Sequence, residues 1–468
     1  MHFNLAAKYT CLCLILISNI FFALASTTIA KAEMLPPFYP TLLNTRTGHS
    51  VALDEFTPSL KCRECHPTQY SGWSQSMHSF AFEDPLYQAV FIEASRETNG
   101  KIDRLCVGCH TPIGTVAEFV WVKDDGEIAI DKLATEGVSC DLCHSIEEVF
   151  MLERHGVLGN AGMVLDPLGP KRGPHEGAES EFHETKVSPL HRRSELCGAC
   201  HNVFHPVGNT KIARTYDEWT NSVYAENDIQ CQDCHMIPPI LIAEIARTLK
   251  KPLLPGSTSI FNTFREPFYP HTFSGANVPI PNIMGAAEHG EQATQLLQLA
   301  ASTKIDQVHL KNGDGNAIID VIIRNERAGH NLPTSLSELR QMWVRISVFD
   351  LSDGGSLIWQ RGGIDREGNI DKEVAFFGAK AVDKEGKTTW KPWRIEKIIS
   401  DTSIPAKRSV RVSYDIPLGK DGGPYKIQAE LLYRSFPQSV ANQYLKEENY
   451  EVPVITMASD SLVVITEN

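Results

Sequence analysis

The sequence predicts a mainly α-helical and irregular first region followed by an antiparallel β-sandwich, on three observations. Five copies of one cysteine motif lie between residues 62 and 235. From Glu33 to about Gly285 the chain has few strand patterns, many polar loops and scattered proline and glycine. Beyond residue 303 period-two alternation takes over, as in Val410, Val412, Tyr414 and Ile416, and again in Ile427, Ala429, Leu431 and Tyr433.

Taken in chain order, residues 1–32 read as an export signal. Lys8 precedes an apolar run from Cys11 to Ala25, and Ala30-Lys31-Ala32 forms an A-x-A cleavage site before Glu33. No later stretch is long and apolar enough to span a bilayer. Residues 33–285 form the motif-bearing domain, and residues 286–302 carry helix formers at helical spacing as a linking helix. Residues 303–468 complete the chain as a sandwich of about seven strands. Ala317–Arg324, Trp343–Asp350, Leu357–Gln360 and Leu462–Thr466 add to the two alternating runs. Turn signals at Asp353-Gly354-Gly355 and Asp421-Gly422-Gly423 separate strands.

Composition is ordinary for a folded chain, with 42% hydrophobic and 22% charged residues, which excludes a linker or fibre. The formal net charge of −13 excludes the basic footprint of a nucleic-acid binder and favours cationic partners.

Once the signal is set aside, every remaining cysteine falls in a C-x-x-C-H motif. The motifs are Cys62/Cys65/His66, Cys106/Cys109/His110, Cys140/Cys143/His144, Cys197/Cys200/His201 and Cys231/Cys234/His235. Cysteines three apart lie on one helical turn, where both can form thioethers to haem vinyl groups. The histidine that follows is placed to ligate the iron. Structural zinc and disulfides are the competing chemistries, and neither explains a histidine after all five pairs. The expectation is five covalently attached haems c supplying much of the core of this domain. The second and third motifs, and the fourth and fifth, share a 34-residue spacing, which reads as two duplicated pairs behind one leading haem.

Five histidines stand inside the motifs and eleven others follow the signal, so about half of these are needed as second iron ligands. His78 follows Trp73 within a helical turn or two of the first motif, where the indole can pack on a ring. His155, His175, His183 and His191 crowd the stretch between the third and fourth motifs, with His183 the favoured ligand and His175 and His191 behind it. His271 lies in the loop leaving the first domain, and His330 at the end of a predicted strand in the second. A ligand at His330 bolts the sandwich to the haems. Met77, Met151 and Met236 lie near motifs and read as packing residues.

The run Ser194-Glu195-Leu196-Cys197 through His201, followed by Tyr216-Asp217-Glu218-Trp219 and Ile229 through Met236, carries a resemblance. From about Leu60 to Asn277 the chain resembles the multihaem cytochromes related to the tetrahaem electron carrier of ammonia oxidisers. That group also includes enzymes of the hydroxylamine oxidoreductase type. The resemblance implies closely stacked haem pairs, mostly with two histidine ligands. It implies a distal ligand from the W-x-x-S-x-H context, matched by Trp73, Ser76 and His78. His271 and His330 match segments of larger relatives that carry a C-terminal β-domain. Five motifs rather than four depart from the small carrier.

Two imidazoles on each iron leave no open position, so such centres relay electrons. The expected function is electron transfer outside the cytoplasm, periplasmic or at the cell surface, between redox proteins such as other cytochromes or a quinol-linked donor. The alternative is a redox enzyme in which one five-coordinate haem acts on a small nitrogen, sulfur or oxygen compound. A third reading has the β-domain serve assembly into larger structures.

Overall fold

The computed structural model describes residues 35–151, 156, 158–206, 210–261, 264–311, 315–418, 423–446 and 449–465. The export signal and His155 lie outside the described residues. In the first region each motif sits at a short helix. The first falls on α1 (Ser59–Arg63) ahead of α2 (Pro67–Ser74). Helix α3 (Pro85–Thr98) is longer: Asp84 caps it by accepting from the Leu86 and Tyr87 amides, and Asn99 ends it in the left-handed conformation. The second motif lies in α4 (Asp103–His110) and the third in α5 (Cys140–Ser145), capped by Ser139. The fourth lies on α6 (Ser194–Gly198), and after α7 (Thr215–Thr220) the fifth occupies α8 (Gln232–His235).

One bond recurs across the motifs. The histidine amide donates to the carbonyl of the first cysteine in His66 (2.8 Å), His201 (2.9 Å) and His235 (2.9 Å). That helical turn brings the two thiols to one face. Apart from α3 these helices have eight residues or fewer, too short to persist on propensity alone.

Helix α9 (Ala287–Ala300) runs directly into β1 (Ala301–Leu310), which pairs with β2 (Asn316–Asn325). Strands β3 (Gln341–Asp350), β4 (Ser356–Arg361) and β5 (Phe376–Phe377) follow. A small antiparallel sheet then centres β6 (Ala379–Val382) between β7 (Thr388–Thr389) and β8 (Lys397–Asp401). Strands β9 (Ser409–Pro417), β10 (Tyr425–Arg434) and β11 (Ile455–Val464) complete the region, with α10 (Gln438–Tyr444) between the last two. The larger sheets order as β1-β2-β9 and β4-β3-β10-β11, with β5 on β3. Their facing residues share one apolar core. Ile319, Val321 and Ile323 of β2 meet a cluster that includes Val344, Ile346 and Val348 of β3 and Ile427 and Ala429 of β10. The period-two pattern survives in β2, where alternate residues are buried.

Several strands had no counterpart in the sequence reading: β1 follows a helix without a break, and β6 to β8 are short and polar on one side. The Asp365–Glu373 segment is a turn in which Asp365 accepts the Glu367 and Asn369 amides.

The first and second regions meet extensively, and residues Pro36–Asn468 form one unit. Leu86 of α3 and Ile280 pack with Leu339, Phe436 and Val440. Glu93 of α3 accepts from Lys391 (2.7 Å) and from the Tyr444 hydroxyl (2.5 Å), while Glu97 pairs with Arg394.

Candidate metal centres

A single cavity of about 1620 Å³ runs through the first region to its border with the second, and residues of all five motifs line it. None of the ten cysteines forms a disulfide. Cysteines of different motifs approach one another across the cavity. Cys62 lies near Cys140, Cys197 near Cys231, and Cys109 near Cys200. The first motif therefore abuts the third, the fourth abuts the fifth, and the second joins through the fourth. The equal 34-residue spacings had paired the second motif with the third, but spatial adjacency follows the fold and not the spacing.

Four of the five motif histidines are oriented by their other ring nitrogen. Nδ1 of His66 lies 2.6 Å from the Thr258 carbonyl, and Nδ1 of His110 lies 2.6 Å from that of Ala81. His144 meets Arg172 O at 2.5 Å and His235 meets Ser274 O at 2.7 Å. A carbonyl accepts, so the proton sits on Nδ1 and the Nε2 lone pair is free for a metal. His271 and His330 repeat the arrangement on Tyr269 O (2.6 Å) and Asn331 O (2.8 Å). Burial holds the His110, His144, His235, His271 and His330 rings below the ordinary imidazole range. It pushes His110, His201 and His271 down to about 4, and His78 to about 3, with His201 the next contributor for His78.

Three pairs of rings face each other at similar separations. Ring centroids are 6.2 Å apart for His78 and His201, 6.4 Å for His144 and His271, and 6.2 Å for His235 and His330. An ion held between two imidazoles by bonds of about 2 Å puts the centroids roughly 6 Å apart. Each pair joins one motif histidine to one histidine from elsewhere in the chain.

The local sequence explains how the partners are held. Ser76 is fully buried and its hydroxyl accepts the His78 amide at 3.2 Å. Trp73 donates to Val138 O at 2.7 Å, and Phe273 meets the His78 ring edge-on at 4.4 Å. The Nδ1 of His78 is buried without a partner among the described residues. His330 sits on a loop whose backbone is tied to Asn325 (2.8 Å), and Asn325 also donates to Ile404 O (3.0 Å). Glu218 of α7 accepts from the Asn331 amide and the Thr334 hydroxyl.

The other candidates stand differently. His191 packs on the His144 ring at 5.6 Å, with its Nε2 3.0 Å from Cys143 O and its Nδ1 unpartnered among the described residues. Arg192 donates to Nδ1 of His175 (3.1 Å), which leaves the proton on Nε2, a tautomer with no lone pair there. His183 lines the cavity but is exposed, and its Nδ1 contacts the adjacent Glu184 carbonyl. Among the described residues no histidine ring contacts His66 or His110. The His110 ring instead stacks on Tyr87 at 3.7 Å. Tyr87 carries no motif that marks it in the sequence.

These residues fit covalent haem: paired thiols on a helical turn, an imidazole beside them with its lone pair free, and a cavity between. Comparisons agree. Residues 61–145 match the family model "Cytochrome c554 and c-prime". Over 202 residues the chain is 26% identical to cytochrome c-554 of Nitrosomonas europaea, covering 40% of this chain and 81% of that one. The fold is similar to a crystal structure of a penta-heme cytochrome c552 from Thermochromatium tepidum, with a TM-score of 0.61 and 19% identity, covering 88% of this chain and 100% of the other. The chain is a multihaem c-type cytochrome that resembles cytochrome c554.

Proposed function

We propose that the chain binds five haems c and relays electrons between redox proteins outside the cytoplasm. The observation that carries this reading is the set of three imidazole pairs at 6.2–6.4 Å around a cysteine-lined cavity. Bound haem supplies a one-electron couple, and the protein sets its potential and access. The ten motif cysteines attach it. His66, His110, His144, His201 and His235 would hold the irons, and His271, His78 and His330, whose rings stand near the third, fourth and fifth of them in motif order, would hold those irons as well. Carbonyls at Nδ1 fix the ring planes and make Nε2 a stronger donor. An iron held by two imidazoles would have no position left for a small molecule, which suits a centre that carries electrons and binds no substrate.

In this reading residues 1–32 direct export to the periplasm or cell surface, 33–285 carry the haems, and the facing sheets of 303–468 form a sandwich bolted on through His330. No helix among the described residues is long and apolar enough to cross a membrane. Other cytochromes or a quinol-linked donor are the partners, and the β-region offers a surface for assembly.

A second reading, an enzyme with one open iron, is favoured at His66 and His110, neither of which has an imidazole partner among the described residues, and at His110 the neighbouring ring is Tyr87. Intact mass counts the haems, and low-temperature EPR with added nitric oxide separates the readings. Five low-spin irons that ignore nitric oxide establish a carrier. One high-spin iron that binds it makes the first or second motif an active-site candidate.

A further inference from the structure

Two pairs of motifs are joined by the same bonds. Ser59, three residues before Cys62, accepts the Cys140 amide on its hydroxyl at 3.4 Å. Ser194, three residues before Cys197, accepts the Cys231 amide at 3.0 Å. The serine amides are matched as well, donating to Glu136 Oε2 (3.0 Å) and to Gln230 Oε1 (2.8 Å), side chains just ahead of the follower's first cysteine. In both pairs the serine bond ties the leading motif to the first cysteine of its follower, Cys140 or Cys231. Both serines are buried, at 1% and 0% exposure.

The remaining motifs lack this feature. The corresponding residue is Asp103 for the second motif, Gly137 for the third and Asp228 for the fifth. Asp103 accepts from Ser95 within its own neighbourhood, at 2.8 Å. Cys140 and Cys231 stand at the first turn of α5 and α8, where amides have no partner within the helix. A serine from the other motif of the pair supplies that partner, so helix capping and motif docking are one contact.

We propose that Ser59 and Ser194 are positioning residues of a lock used twice, each holding a leading motif against its follower so that their thioether edges abut. The proposal rests on the haem reading above. Each lock is local, so breaking one disturbs two centres of five and leaves the other three.

The test uses the intact holoprotein, with Ser59→Ala and Ser194→Ala beside wild type. Pyridine haemochrome and peptide mass measure haem attachment, and EPR-monitored redox titration follows each centre. Two signals and their midpoint potentials are expected to move in Ser59→Ala, a different two in Ser194→Ala, and the fifth in neither. If a variant loses haem, loss confined to the Cys62 and Cys140 peptides, or to the Cys197 and Cys231 peptides for Ser194→Ala, supports the lock. With five haems retained, unmoved signals or the same signals moving in both variants overturn it, as does haem loss from other motifs. A wild type carrying no haem overturns the haem reading itself.

Discussion

Between Ala301 and Val464 the side chains close on one another, whereas between Ser59 and Ser274 they close around a cavity. Ala317, Ile319, Val321, Ile346, Val348, Ile427 and Ala429 are all fully buried without any help from outside the chain. Around the motifs the helices are short, and cysteine and histidine point where aliphatic side chains stand in the β-region. The contrast teaches that one sequence follows two rules. The β-region gains its stability from apolar area removed from water, while the first region binds its interior as a cofactor, so attachment and folding are coupled there.

The largest effect is expected from withholding haem. In chain produced without haem attachment, hydrogen exchange followed by mass spectrometry should show residues 59–275 exchanging quickly and 301–464 remaining protected. Uniform protection across both breaks the comparison. Next, Ile319→Ala opens a cavity in the β core and should cost about 2–5 kcal/mol. Calorimetry should register the loss while the absorption spectrum of the folded protein stays unchanged. A spectral change at low temperature would show that the two regions are less separate than their cores. His330→Ala acts across the border: one iron should turn high-spin by EPR, and His183→Ala should leave the spectrum as it was.

The smallest expected effect is a pH dependence. Burial pushes the Glu338 carboxyl up to about 7 from an ordinary 4.5, and Glu218 and Asp401 face it together with Arg214. Between those values the folded protein holds a proton that the unfolded chain has released, so stability falls as pH rises through that window. Glu338→Gln should flatten the fall in thermal midpoint between pH 5 and 8, and an unchanged slope would remove Glu338 from the account.

The motifs were legible in the sequence because their chemistry is local: a cysteine pair and a histidine on one turn need no tertiary information. Ser76, part of the context that singled out His78, accepts the His78 amide from nearby. His183 and His175 attracted attention through the density of histidines, but density says nothing about which ring nitrogen is free, and Arg192 on His175 is a contact no spacing announces. Equal intervals suggested which motifs pair, yet neighbours are set by where the chain returns. The sign of the true pairing was present as S-x-x-C-x-x-C-H at Ser59 and Ser194, and its meaning depended on amides far along the chain. In the β-region alternation marked β2, β9 and β10 well. Strand β1 was hidden because the helical pattern before it ends without a turn residue.

The tie from Asn325 to both the His330 loop and Ile404 also has a consequence in time. A chain is made from its first residue onward, so all five cysteine pairs exist before the segment that pins His330 has been made. The imidazole pair of the fifth motif is therefore the last to close, and a chain interrupted near residue 400 carries every attachment point yet never finishes that centre. Completion of the β-region acts as a checkpoint on the length of the protein that precedes it.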